Sequence, residues 1–352
     1  MSEKNQLNGT IRISKNLQVY ELKKDKWVLS NKSFPEAIQA INSFIKHGKL
    51  KEIIDSKNPR FIRGQLSPKG KIQGARINII PTGEKIDKAF SIFAHNLTFH
   101  DESSHDHWDL IYRNPNGKFA YCYTLKKKSE TQKNKYKKVL SFEKVYKKLE
   151  KKTKQALKDK EDICAVPMYT LLKTYMRIGN EINYNKNGHK GLTTLTKKDI
   201  SINKNNVTFK YLAKDGVPME ISKEFPVEYI NRLKENLNSK KNSEFIFLKD
   251  NKPLKDTDLM NAFEKYCGQR FYPHIVRSFY ATKKAKEFLQ KHQKAEKRQV
   301  KSLFLEIAEQ LGHKRFDKKH NEWRDNYAVT IRHYIRPDLV EKIENLSNFY
   351  KN

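Results

Sequence analysis

The spacing of hydrophobic and polar residues changes partway along the chain. Up to residue 125, short runs of β-branched and aromatic residues, such as KIQGARINIIP and KFAYCYTL, are separated by turn sequences such as NPNG and PTGE. One segment, SFPEAIQAINSFIKHG, instead has isoleucines at helical spacing. The pattern predicts a β-rich N-terminal domain over residues 1–125 that contains one helix.

The following stretch, LKKKSETQKNKYKK, is the densest run of cations and has no apolar period. It predicts a hinge or a mobile basic loop, and residues 126–140 are assigned as a basic linker. After it, apolar residues return mostly at helical spacing, as in SFEKVYKKLEKKTKQALKDK. One β-hairpin, NNVTFKYLAKDGVPMEI with AKDG as its turn, interrupts this pattern. Residues 141–352 are predicted to form a mainly helical domain, so the fold class is α+β.

The charge of the chain indicates its partner. Lys and Arg number 72 and Asp and Glu number 40, which gives a net charge of +32, while hydrophobic residues make up 37%. Such a chain has enough apolar residues for a core, and a folded protein of this charge attracts a polyanion, most commonly nucleic acid. The candidate DNA contacts are lysines of the basic stretch and two tyrosines before it: Lys126, Lys127, Lys128, Lys133, Lys135, Tyr121 and Tyr123.

Other features separate structural from functional alternatives. Phe119, Tyr121 and Tyr123 alternate along one strand face, which favours core packing over a base-stacking surface.

The three cysteines form no CxxC, so neither a zinc ribbon nor a disulfide framework is predicted, and a reducing intracellular compartment fits. No window is apolar enough to span a membrane. Four histidines, His95, His100, His105 and His107, are spaced irregularly, which favours a polar surface loop over a metal site.

Five residues suit the transfer of a phosphodiester without a metal ion. The reaction needs a nucleophile that conserves the bond, cations on the non-bridging phosphate oxygens and a proton donor for the leaving 5′ oxygen. Arginine can bind two phosphate oxygens at once, and tyrosine can form a phosphotyrosine. Each candidate is weak evidence alone. They are Arg177 after an apolar helix, Lys214 in the hairpin turn, Arg277 three residues after His274, His313 after a glycine, and Tyr334 before the last helix.

Taken in order, the segments around these residues resemble the catalytic domain of type IB DNA topoisomerases, especially the short poxvirus, giant-virus and bacterial forms. RIGNE followed by GLTTL resembles the first-arginine segment, and VTFKYLAKDGV resembles the lysine hairpin. YPHIVRSFYAT resembles the second-arginine segment, IAEQLGH the histidine segment and YIRPDLV the nucleophile segment. The resemblance covers residues 115–352, and residues 1–70 match no part of the family.

The resemblance implies a reaction and a role for each residue. Tyr334 attacks phosphorus and forms a 3′-phosphotyrosyl link, while Lys214 protonates the leaving 5′-hydroxyl. Arg177 and Arg277 hold the non-bridging oxygens. His313 donates a hydrogen bond to the same phosphate, and the supporting residues are His274 and Asp215. Strand rotation and religation would then relax supercoiled DNA without ATP, a metal or another cofactor.

The resemblance also implies an assembly. A monomer would close around double-stranded DNA as a C-shaped clamp, with a β-rich N-terminal domain and a catalytic domain of the tyrosine recombinase and topoisomerase IB type. Its location would be intracellular and DNA-associated, and a viral source is consistent with the forms it resembles.

Three departures leave alternatives open. His274 stands where these topoisomerases have lysine, and His-x-x-Arg is the tyrosine-recombinase form. The segment between His313 and Tyr334 is long and contains a rival nucleophile, Tyr327; Tyr334 is preferred because YIRP matches the nucleophile segment and a helix follows. The N-terminal domain is larger than the viral minimum. One alternative is a tyrosine recombinase or hairpin-telomere resolvase, and a second is a non-catalytic basic nucleic-acid-binding protein.

Overall fold

The structure, a computed structural model, describes residues 7–74, 76–100, 107–238 and 240–348. The chain divides into two compact units, with the boundary between Asn134 and Lys135. This boundary falls inside the stretch predicted as a linker, and the extents of the functional domains stay a prediction. Within the described ranges, no helix combines the length and apolar character that crossing a membrane requires.

The first unit consists mostly of short antiparallel strands. Its elements are β1 (Ile11–Ile13), β2 (Val19–Lys23), β3 (Lys26–Leu29), α1 (Pro35–Lys46), α2 (Leu50–Ile53), β4 (Gln65–Leu66), β5 (Ile72–Gln73), β6 (Ile77–Ile79), β7 (Lys85–Phe90), β8 (His95–Phe99), β9 (Leu110–Arg113) and β10 (Phe119–Cys122). One sheet has the order β3-β2-β1-β4-β5, a second has the order β10-β9-β8, and β6 pairs with β7. Ile13, Ile41 and Phe44 are fully buried in its core. The predicted β-rich N-terminal region is confirmed.

The aromatic residues of β10 face solvent and not the core. Phe119 is 50% exposed and Tyr121 is 40% exposed, whereas Cys122 is fully buried. The expectation of core packing for the aromatic face is therefore wrong. Because side chains alternate along a strand, burying the small Cys122 turns Phe119 and Tyr121 outward.

The basic stretch is helical, which corrects the predicted hinge or mobile loop. Helix α3 runs without interruption over Leu125–Ala156. Lysine, glutamate and glutamine are good helix formers, and Tyr136, Val139 and Phe142 are buried along one side of the helix. The stretch shows no apolar period because the first turns of α3 are largely exposed.

The second unit is mainly helical around a three-stranded sheet of order β11-β12-β13. After α3, its elements are α4 (Ala165–Thr174), α5 (Glu181–Asn187), β11 (Ile200–Asn203), β12 (Asn206–Leu212), β13 (Pro218–Glu224), α6 (Val227–Asn238), β14 (Leu248–Lys249), β15 (Lys252–Pro253), α7 (Asp256–Cys267), α8 (Ile275–Lys291), α9 (Lys297–Gln310), β16 (Lys314–Asp317), β17 (Glu322–Asp325), α10 (Ala328–His333) and α11 (Pro337–Asn348). The predicted mainly helical region and its β12–β13 hairpin are confirmed, and the fold class is α+β. Two further hairpins, β14–β15 and β16–β17, are not predicted from the sequence.

Two buried clusters hold the second unit together. In one, the ring of Phe142 in α3 packs edge-on against Phe263, Phe271 and Phe279, at centroid distances of 5.9, 5.1 and 5.2 Å. The other lies among α8, α9 and α11 and includes Tyr334. The candidate nucleophile is therefore anchored in a packed core and not on a free loop.

Candidate active site

Arg177 lies in the loop that follows α4 and not within the helix. Tyr175 ends the helix in a left-handed conformation, with φ of 57°. The Arg177 carbonyl accepts a hydrogen bond from the Leu192 amide at 2.8 Å, and a Cβ at Gly191 would lie 2.6 Å from that carbonyl oxygen. Only glycine fits this close approach, so the GLTTL segment fixes the backbone that carries Arg177.

Lys214 occupies the tip of the β12–β13 hairpin, as the AKDG turn predicts. Asp215 beside it takes φ of 64°, the left-handed region that such a tight turn requires. The Lys190 amide donates to the Leu212 carbonyl at 2.7 Å, which joins the end of β12 to the segment before GLTTL. Lys214 and Asp215 border the same cavity as Arg177.

Arg277 is buried in the first turn of α8 and is only 2% exposed. Its Nη1 donates to the Tyr175 carbonyl at 2.6 Å and its Nη2 to the Leu311 carbonyl at 2.7 Å, so it ties the ends of α4 and α9 to α8. Its Nε has no hydrogen-bond partner among the described residues. A buried donor without a partner is costly, and a hydrogen bond to an oxygen of a bound anion would offset that cost.

His313 follows the glycine that ends α9. Gly312 has φ of 64°, and a Cβ there would lie 2.4 Å from the Met219 sulfur, so glycine is required on both grounds. His313 Nδ1 lies 2.8 Å from Thr330 Oγ1, and its Nε2 lies 3.2 Å from Arg277 Nη2. Because a guanidinium can only donate, Nε2 is the acceptor and Nδ1 carries the ring proton.

Tyr334 lies at the junction of α10 and α11 and is 4% exposed. Its hydroxyl accepts a hydrogen bond from Arg177 Nη2 at 3.1 Å. Its ring centroid lies 4.6 Å from that of His313 and 5.2 Å from that of His274. The Arg277 guanidinium carbon lies 5.3 Å from the same ring centroid. The structure thus brings two arginines and two histidines of the predicted set to one phenol.

The two guanidinium groups of this cluster have neutral partners. Within the described residues, Arg177 and Arg277 donate to a hydroxyl, two backbone carbonyls and an imidazole. Burial lowers the pKa of Arg277 to about 10, and repulsion from Arg177 acts in the same direction. Burial, and then repulsion from Arg277 and Arg177, lowers the pKa of His274 and of His313 to about 3 each. Arg277 is buried and Arg177 is half-buried, and cations in such positions that have only neutral partners favour a bound anion.

A cavity of 580 Å³ opens beside this cluster. Its cationic and imidazole lining comes from the loop after α4, the β12–β13 hairpin, the first turn of α8 and the segment after α9: Arg177, Lys214, Arg277, His313, Lys314 and Arg315. A cavity lined in this way suits a phosphate group, because several donors converge on one small space.

Tyr327, the rival nucleophile, packs against α9. Its ring centroid lies 5.9 Å from that of Phe304, and the residue contributes to the cluster of α8, α9 and α11. Tyr334, by contrast, hydrogen-bonds Arg177 and lies against Arg277. The geometry therefore favours Tyr334 over Tyr327 as the nucleophile.

The predicted DNA contacts occupy different environments. Exposed side chains are Lys126, Lys133 and Tyr121, and Tyr123 is half-buried. Lys127 and Lys128 form ion pairs with Asp109 and Asp87 at 2.9 and 3.2 Å. Their charges are thus partly used within the first unit, whereas the exposed lysines are open to a phosphate backbone.

Part of the histidine segment can be placed. His105 lies outside the described residues, and His107 stacks on Tyr121 with ring centroids 5.9 Å apart. In the described ranges, no group of three metal-binding side chains occurs.

Sequence reasoning missed the position of Lys135. It is predicted as a DNA contact, but its Nζ lies 5.3 Å from the Tyr334 ring centroid and donates to the His333 carbonyl. Burial lowers its pKa to about 8. The neighbouring Tyr136 donates to the Ile335 carbonyl at 2.6 Å. Nothing in the sequence separates Lys135 from the lysines around it, since only the three-dimensional packing of α3 shows which of them turns inward.

Residues 124–337 match the model of a family described as the catalytic core of eukaryotic DNA topoisomerase I. The match begins one residue before α3, ends at the first residue of α11 and includes all five candidate catalytic residues. It spans more than half of the chain. No curated relative matches the chain.

Proposed function

Because this chain belongs to the DNA topoisomerase I family and is a DNA topoisomerase, an isomerase, we propose that it relaxes supercoiled DNA by cutting one strand at Tyr334. The cut strand rotates about its partner and is then resealed. The observation that supports this proposal most strongly is the hydrogen bond of 3.1 Å from Arg177 to the Tyr334 hydroxyl. Among the described residues, Arg177 and Arg277 donate only to neutral groups. The anion that these two arginines would bind is a phosphodiester of DNA, the substrate of this family.

In the proposed reaction, the scissile phosphate binds between the two guanidinium groups. Arg177 and the unpartnered Nε of Arg277 donate to its non-bridging oxygens, where negative charge increases in the transition state. The Tyr334 oxygen bonds to phosphorus and its proton passes to water. The bond to the 5′ oxygen breaks at the same time, and Lys214 donates a proton to that oxygen.

His313 must change its hydrogen bonding to take part. Without DNA, its Nε2 accepts from Arg277, so it cannot donate to a phosphate there. A bound phosphate offsets the repulsion from the two arginines, which raises the pKa of His313 and favours a proton on Nε2. His313 then donates to a non-bridging oxygen, and Thr330 keeps the ring oriented through Nδ1.

The reaction requires neither ATP nor a metal ion as a matter of chemistry. A phosphotyrosine link conserves the energy of the phosphodiester, so religation is the reverse of cleavage. The arginines and His313 stabilise the charge that a metal would otherwise stabilise.

The protein acts as a monomer, and its partner is double-stranded DNA, which it binds mainly through the phosphates. The net charge of +32 supports this, and it also predicts that affinity falls steeply with salt. From the resemblance of its motifs, we propose that the chain is a short-form type IB enzyme. On the same basis we propose a viral source. Its place in the cell is with DNA.

The test is relaxation of a plasmid that contains no engineered site, with EDTA present and ATP omitted. We expect positive and negative supercoils to relax, and a denaturant quench should trap a covalent protein–DNA adduct. A gel shift without any adduct would indicate a DNA-binding protein that does no chemistry. Adducts at one sequence only, with recombinant products and no relaxation of arbitrary DNA, would indicate a recombinase.

A further inference from the structure

Two consecutive residues of α3 donate to the carbonyls of the residues that precede and follow Tyr334, His333 and Ile335. Lys135 donates to the His333 carbonyl, and Tyr136 donates to the Ile335 carbonyl at 2.6 Å. Consecutive helical residues point in directions about 100° apart. The two donors therefore hold the segment His333–Ile335 at two points, which restrains it more than one contact would.

These contacts occur where backbone carbonyls of the segment His333–Ile335 need hydrogen-bond donors. Helix α10 has six residues and ends at His333, and Tyr334 follows it in a non-helical conformation. The last carbonyls of a helix have no partner within the helix, and α11 begins only at Pro337. Side chains of α3 supply donors to two carbonyls of this short connection.

Both side chains are held by their surroundings. Tyr136 is 6% exposed and belongs to the core around α3. The Lys135 ammonium lies 5.3 Å from the Tyr334 ring centroid, within the range of a cation–π contact. Lys151, further along the same helix, is exposed.

We propose that Lys135 and Tyr136 are positioning residues that hold the Tyr334 phenol in line with the scissile phosphate. This inference rests on the proposed function, in which Tyr334 is the nucleophile. It gives Lys135 a role different from that of a phosphate-binding lysine. A small displacement of a reacting group costs a large factor in rate, so loss of either tether should slow cleavage without weakening DNA binding.

The test compares full-length variants in single-turnover cleavage and in DNA binding. The substrate is a duplex whose short strand beyond the cut dissociates, with enzyme in excess so that all DNA is bound. The variants are Lys135→Met, Lys135→Arg and Tyr136→Phe, and the matched control is Lys151→Met on the same helix. Adduct formation gives the cleavage rate, and titration at several salt concentrations gives the affinity and its salt slope.

We expect Lys135→Met and Tyr136→Phe each to slow cleavage by about ten- to a hundredfold, with wild-type affinity. Lys135→Arg keeps the charge and the donor and should cleave close to the wild-type rate, as should Lys151→Met. Tyr136→Phe removes only one oxygen from the ring, so it tests the inference even if Lys135→Met fails to fold.

Two results would overturn the inference. One is cleavage at the wild-type rate by both Lys135→Met and Tyr136→Phe. The other is weaker binding by Lys135→Met, with a salt slope reduced by about one and an unchanged rate at saturating DNA, which would identify a phosphate contact. If the wild-type protein itself forms no adduct, the proposed function fails, and the positioning role fails with it.

Discussion

Arg177 donates a hydrogen bond to the Tyr334 hydroxyl at 3.1 Å, although 157 residues separate them in the chain. Arg177 is held by the GLTTL segment, and Tyr334 by the junction of α10 and α11. The contact therefore depends on the folding of the whole second unit. In the DNA-free protein it also orients the phenol oxygen towards the cation that is proposed to bind the phosphate.

The first prediction concerns the identity of the nucleophile. Tyr334→Phe should abolish relaxation and adduct formation, because it removes the only atom proposed to bond to phosphorus. Tyr327→Phe should keep both activities, since Tyr327 packs against Phe304 of α9. The measurement is adduct formation after a denaturant quench. Activity in Tyr334→Phe together with its loss in Tyr327→Phe would move the nucleophile to Tyr327.

Local patterns in the sequence predict the elements that carry the site. The AKDG turn predicts the hairpin with Lys214 at its tip, and the glycine before His313 predicts the end of a helix; both are confirmed. Each of these features depends on backbone conformation over a few residues, which local sequence determines.

Contacts between distant segments could not be predicted from local patterns. Lys135 meets the His333 carbonyl across 198 residues, and no local pattern distinguishes it from the other lysines. The exposed face of β10 depends on whether Tyr121 or Cys122 faces the core, and alternation alone leaves that choice open. The tautomer of His313 follows from its contact with Arg277, which only the folded chain forms.

The second prediction separates the two arginines. Arg177→Met should slow cleavage by about a hundred- to a thousandfold, as expected for loss of a donor to transition-state charge. The stability of the DNA-free protein should hold or rise, because Arg177 and Arg277 repel each other. Arg277→Met should lose both activity and stability, since the Tyr175 and Leu311 carbonyls lose their donor, at about 1–3 kcal/mol for each buried group left unpaired.

The measurements for the arginine pair are single-turnover cleavage and urea unfolding without DNA. If Arg177→Met destabilises the protein as much as Arg277→Met does, Arg177 serves the fold, and the argument that it is held for an anion is wrong.

The third prediction assigns the leaving-group proton to Lys214. Lys214→Ala should slow cleavage by about a hundred- to ten-thousandfold on ordinary DNA. When sulfur replaces the bridging 5′ oxygen, the leaving thiol has a pKa near 8.5 and needs no proton donor. The variant should then cleave within about tenfold of the wild-type rate. Lys210→Ala, at an exposed lysine of β12 paired with Glu220 at 3.1 Å, should match the wild-type protein on both substrates.

Arg177→Met provides the comparison for Lys214, because a donor to non-bridging oxygens should be needed for either leaving group. If the sulfur substrate restores the cleavage rate of Arg177→Met as well as that of Lys214→Ala, the rescue is nonspecific. A sulfur substrate that restores neither would remove Lys214 from the role of proton donor.

The fourth prediction follows from the two buried histidines. Burial and the nearby arginines lower the pKa of His274 and of His313 from 6.5 to about 3 in the folded protein. Between those values the unfolded chain binds protons that the folded protein does not. Above pH 6.5 the two histidines therefore leave the free energy of unfolding unchanged. Below pH 6.5 it falls with the pH, by up to about 1.4 kcal/mol per pH unit for each histidine.

His313→Gln isolates one of these two contributions, because glutamine keeps polar atoms at the site and does not titrate in this range. Between pH 7.5 and pH 5.0, the free energy of unfolding should fall by about 2 kcal/mol more in the wild-type protein than in His313→Gln. The measurement is urea unfolding at both pH values, and carboxylate titration cancels in the comparison. An equal fall in both proteins would mean that burial and the two arginines do not hold His313 neutral in the folded protein.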